Sequence, residues 1–188
     1  MKKWITTVIV LNCLVFAGAA PAVAAEIEGV TFEERLTLSG QDLDLRGMAL
    51  LKHLIVIKAY VGALYLPEGI ASGKVLTDVP KALVLHYFHA IPAADFAKAT
   101  TAVIEENTSK NEFKALKSGI DQMNALYRDV DPGDEYQAAY IPGVGTSLAL
   151  NGKELGIVPG PKFARAYFAM WLGANPISRS FRDGLLGR

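Results

Sequence analysis

The stretch from Leu54 to Pro67, LIVIKAYVGALYLP, most constrains what this chain can fold into. It has the length and the β-branched and aromatic content of a long strand. Strict alternation puts Leu54, Val56, Lys58, Tyr60, Leu64 and Leu66 on one face. Ile55, Ile57, Val61, Ala63 and Tyr65 fall on the other. Apolar residues on both faces predict a strand covered on both sides. Lys58 is its only charge. An unpaired buried charge is costly, so Lys58 needs a partner or a wet cavity. Lys58 and Tyr60 share a face in this alternation, and an ammonium beside a phenol can hold an anionic head group. The alternative is a lysine snorkelling at the sheet edge over a tyrosine that only packs. Tyr65, on the other face, is expected in the core.

The N-terminus reads as a targeting segment. Lys2 and Lys3 precede an apolar run from Trp4 to Phe16, and Pro21 to Ala25 supplies small residues before Glu26. This is the pattern of a secretory signal peptide over residues 1–25, cleaved after Ala24 or Ala25. The alternative is an uncleaved anchor, since Trp4 to Ala25 carries no charge. The expected domain is residues 26–188, in a periplasmic or secreted setting, with no stable membrane span after cleavage. Losing Lys2 and Lys3 leaves 17 basic against 19 acidic side chains. Near neutrality argues against a nucleic-acid partner, which needs a basic face. Cys13 is the only cysteine and lies in the leader, so no disulfide or cysteine metal site is expected.

Strands precede helices. Residues 27–38 predict a short strand or hairpin, 42–52 a second strand, 54–66 the long strand and 82–90 another. The period then becomes helical. Pro92 opens a helix carrying Phe96, Ala99, Val103 and Ile104, and a second runs from about Lys110 to Tyr127. Short strands follow at 136–141, 146–150 and 155–158, with Asn151-Gly152 as a type I′ hairpin turn. A third helix spans 162–172, and Ser178 caps a fourth through Leu186. This order predicts one α+β domain with a largely antiparallel sheet.

No catalytic or metal constellation stands out, and no cofactor is expected. His86 and His89, three apart in a strand, point to opposite faces. The Gly143 to Thr146 run precedes a strand, so it lacks the helix N-terminus of a phosphate site.

Four segments in order resemble the chalcone isomerase-like family. They are KAYVGALYLP at 58–67, GDEY and YIPGVGT across 133–146, NGK at 151–153, and FARAYFAMWLG at 163–173 with Leu185-Leu186-Gly187 beyond. The resemblance implies an open-faced sandwich, a large antiparallel sheet with helices on one face and a ligand cleft between. The plant-type enzymes use an arginine, a threonine, a tyrosine and an asparagine. Here those positions are matched by Lys52, Tyr60, Phe96 and Val103, so the catalytic set is mostly lacking and no catalytic residue is assigned. Other members of the family bind fatty acids through an arginine and a tyrosine, a pair that Lys52 or Lys58 with Tyr60 approximates. The expected function is non-catalytic binding of a small amphipathic molecule, a fatty acid or planar aromatic. Its polar end would meet Lys58 and Tyr60, with Lys52 as a further contact, and its tail the helices carrying Phe96, Val103 and Phe113. An isomerase or lyase acting on a chalcone- or enone-like substrate, and an envelope interaction module without ligand, are the alternatives.

Overall fold

The computed structural model describes residues 24–53 and 57–188. Most of the expected leader and the first residues of the long strand, 54–56, lie outside them. Ala24–Ile27 (β1) and Val30–Glu33 (β2) form a two-stranded hairpin. Its turn uses Glu28 and Gly29, both at positive φ. Seven strands follow in one antiparallel sheet: Arg35–Leu38 (β3), Gln41–His53 (β4), Ile57–Leu66 (β5), Lys81–Tyr87 (β6), Glu135–Ile141 (β7), Gly145–Leu150 (β8) and Lys153–Val158 (β9). They stand side by side in chain order. Each strand pairs antiparallel with its sequence neighbour; the loop 67–80 joins β5 to β6, and the two helices between 93 and 126 lie between β6 and β7.

The turns and caps obey local chemistry. Asn151 and Gly152 both adopt positive φ, as the type I′ hairpin between β8 and β9 requires. Ala93–Asn107 (α1) starts straight after Pro92, and the backbone N–H of Ala93 donates to Asp129 Oδ1 at 2.8 Å. Lys110–Leu126 (α2) is capped by Ser109, which accepts from the Glu112 N–H. Pro161–Leu172 (α3) carries its proline in the first turn, and Ser178 caps Arg179–Leu185 (α4). No helix among the described residues is long and apolar enough to cross a membrane.

Two apolar clusters flank the sheet, as the two-faced long strand requires. The larger lies under the helices and includes Tyr60, Leu64 and Leu66 of β5 with Ile104, Ile120, Phe168 and Phe181. The smaller lies on the other face, where Val61, Ala63 and Tyr65 meet Phe32 of the β1–β2 hairpin and Leu43. Tyr65 is core there, and its hydroxyl donates to the Glu33 carbonyl at 2.9 Å. The architecture is α+β, with four helices on one face of an antiparallel sheet and a hairpin over part of the other.

Candidate ligand-binding site

One extra residue in β5 decides what faces the helices. Leu51 of β4 pairs with Tyr60, but Lys52 pairs with Lys58, so Ala59 is bulged out of the ladder. Its carbonyl accepts from the Phe88 N–H at 3.1 Å instead. A bulge resets the alternation by one residue. Lys58 therefore does not share the Tyr60 face. Its ammonium pairs with Glu28 of the hairpin turn at 2.5 Å, with about half of the side chain exposed. The sequence reading that put Lys58 beside Tyr60 is corrected here: Lys58 does not line the cavity.

Ala59 and Tyr60 do line it, on the helix side of the sheet. The cavity holds about 730 Å³ and lies between β4 to β8, α1 and α3. That volume suits a small molecule. Its floor is Tyr60, Leu85, Tyr87, Tyr136, Ala138 and Leu148 of the sheet. Phe96 and Thr100 of α1, Tyr127 after α2, and Tyr167, Met170 and Trp171 of α3 close it. Exposed Lys52, His89, Asp95 and Ile177 border its mouth. Of the residues expected at the site, Lys52 and Phe96 line the same cavity as Tyr60. Val103 does not. It sits on the turn of α1 beyond Thr100, packed half-buried against the core rather than lining the cavity. Phe113 packs likewise outside it.

Aromatic packing builds the walls. The Phe96 ring stacks on Tyr127 with centroids 5.4 Å apart, and meets Tyr87 and Tyr136 edge-on at the same distance. Tyr60 meets Phe181 edge-on, also at 5.4 Å. Such offset and T-shaped pairs are the favourable arrangements for aromatic quadrupoles.

The hydroxyls form a defined set. Trp171 Nε1 donates to the Tyr60 hydroxyl at 3.1 Å, and the Tyr60 proton goes to no described residue. Thr100, Tyr127 and Tyr167 make a chain of contacts at 2.8 and 3.1 Å. Three hydroxyls joined by two hydrogen bonds keep one proton over. Tyr136 is satisfied at both ends, accepting from the Arg128 N–H and donating to the Arg128 carbonyl. The hydroxyl of Tyr87, a residue 2 % exposed, makes no hydrogen bond to a described residue. Burial raises the pKa of every one of these phenols. Tyr127 is pushed up to about 12, and Tyr60, Tyr87 and Tyr167 lie well above the usual phenol value. All are neutral donors near pH 7, and none is poised as a base.

Tyr87, Thr100, Tyr127, Tyr136, Tyr167 and Trp171 are not among the site residues expected from sequence, although Tyr136, Tyr167 and Trp171 fall in the segments that carry the family resemblance. The available signal was compositional. Five of the seven tyrosines line this one space. A phenol in a core needs a partner for its hydroxyl, so a tyrosine-rich interior is itself a hint of a polar spot.

An antiparallel sheet closed by helices over an apolar, tyrosine-lined cavity defines a chalcone isomerase-like α+β sandwich. The chalcone isomerase-like family model matches residues 24–187, and the chain belongs to that family. Among solved structures of the same fold is a crystal structure of the Arabidopsis thaliana fatty-acid binding protein AtFAP1. It superposes with a TM-score of 0.69 at 14 % identity, over 87 % of this chain and 96 % of that one. A comparison with curated protein sequences found no match.

Proposed function

We propose that the protein is an exported, non-catalytic binder of a small amphipathic molecule, a fatty acid or a planar aromatic. The observation that carries this reading is the open 730 Å³ cavity, apolar in its walls and furnished with a few convergent hydroxyl donors. Tyr60, Phe96 and Trp171, which would have to fill the cleft in a purely structural member, line it instead. The fold shared with a protein described as fatty-acid binding supports the same reading. The isomerase alternative finds less support. Phe96 and Val103 stand at two positions where the enzymes carry hydrogen-bonding side chains, and the buried phenols are too weakly acidic to take up a proton as phenolates near neutrality.

Native mass spectrometry of the protein purified from its own cells tests the reading without a guess at the ligand. A bound mass of small-molecule size, lost on activation, is the expected result. Bare protein throughout, with no thermal shift on adding fatty acids or planar aromatics, would favour an interaction module instead.

A further inference from the structure

The polar groups inside the cavity are all neutral, and several of their protons are uncommitted. Tyr60 accepts from Trp171 and gives its own proton to no described residue. The hydroxyl of Tyr87, its buried cross-strand partner, bonds to no described residue. The Thr100–Tyr127–Tyr167 chain keeps one proton over. The cavity interior therefore offers O–H groups free to donate and calls for an acceptor. The one lysine or arginine among the residues that line it is Lys52. Lys52 is exposed at the mouth, and its cross-strand partner is Lys58, whose ammonium is engaged by Glu28. A carboxylate taken into the interior would leave water without gaining a cation, an unfavourable exchange. A carboxylate left at the mouth beside Lys52 would put an alkyl tail against the free hydroxyls and leave them without partners.

We propose that this cavity selects an uncharged ligand, one that carries an acceptor oxygen such as a ketone or ester carbonyl on an apolar body. The oxygen seats between the hydroxyls of Tyr60 and Tyr87, and the apolar body fills the space against Leu85, Phe96 and Met170. This rests on the binding reading above and narrows it to the neutral members of the ligand class.

Matched probes test it by calorimetric titration near neutral pH. One pair is methyl undecyl ketone against dodecanoate, which share an undecyl chain; the other is acetylnaphthalene against naphthoate, which share a ring system. At least one ketone is expected to bind about tenfold or more tighter than its carboxylate partner. Tyr87→Phe, which removes one hydroxyl and keeps the ring, should weaken that ketone by about 3- to 10-fold. It should leave the thermal midpoint of unliganded protein essentially unmoved. A carboxylate that binds as tightly as its ketone or tighter, with Lys52→Met weakening it and Tyr87→Phe without effect, would overturn the selectivity while leaving the binding reading intact. No heat from either pair, joined with bare protein in native mass spectra, would remove both.

Discussion

Lys81 is the one charged side chain in the core of the described residues, 2 % exposed at the start of β6. Its ammonium donates to the carbonyls of Val79 and Thr77 at 2.6 and 3.2 Å and lies 4.5 Å above the Tyr140 ring. Tyr140 in turn donates to Asp78. Burial still dominates and lowers the Lys81 value to about 8, with Asp78 opposing. The folded state therefore releases this proton before the unfolded state does. Where the unfolded chain holds more protons, stability rises with pH. The cost of the buried charge is carried in full below about pH 8 and relieved between about pH 8 and 10, by about 2 kcal/mol. Chemical denaturation across that window should show this rise, and Lys81→Met should flatten it. Equal slopes in both proteins would remove the account. Lys58 gives the contrasting case. Its exposed pair with Glu28 should be worth less than about 1 kcal/mol. Lys58→Ala should leave affinity for any cavity ligand unchanged, and a tenfold loss in titration would return Lys58 to the site. That lysine was legible in the sequence as an anomaly, but its destination was not. Alternation assigns a face only while the ladder is unbroken, and nothing about Ala59 as a residue marks it as the bulged one.

Between elements, glycine permits the closest approach. Gly47 of β4 lies under the last turn of α4. A Cβ there would stand 2.8 Å from the Leu185 carbonyl oxygen and 3.0 Å from the Gly187 nitrogen, with the Gly184 carbonyl closer still. These are backbone atoms, so no side-chain rotation relieves the clash. Gly47→Ala should lift α4 from the sheet at a cost of about 2–3 kcal/mol. Hydrogen exchange should then quicken over residues 179–187 while β6 and β7 keep their protection. Unchanged exchange in that segment would show that α4 does not depend on this contact. The elements themselves were readable because each has a local cause. Pro92 and Ser178 mark helix starts, Asn151-Gly152 marks a turn, and the apolar periods separate strand from helix, whereas the Ser109 cap and the Pro161 start emerged with the structure. The contact of Gly47 with α4 has no such cause, since it joins residues far apart in the chain.

At the scale of the molecule, the buried phenols set an alkaline limit. Tyr60, Tyr87, Tyr127 and Tyr167 all hold their protons above the ordinary phenol value because they are buried. In the unfolded chain they ionise near pH 10. A raised folded value means the associated stability is intact below about pH 10 and is lost as pH climbs beyond it. Unfolding above that pH should be cooperative and coincide with the rise in tyrosinate absorbance. A gradual absorbance rise near pH 10 with the fold intact would mean the cavity tyrosines are open to solvent. A bound neutral ligand should move the transition to higher temperature by mass action, about 2.7 kcal/mol at a concentration of a hundred times Kd.

By itself the sequence determined the α+β class, the two-sided burial of β5, the Ser178 cap, the Asn151-Gly152 turn and the family, because each rests on local periods or contiguous motifs. The tertiary structure alone decided that β5 bulges at Ala59, that Lys58 turns to the hairpin, that Val103 falls one turn outside the cavity, and that five distant tyrosines converge. Those outcomes depend on register and on contacts between remote segments, where a shift of a single residue exchanges one face of a strand for the other.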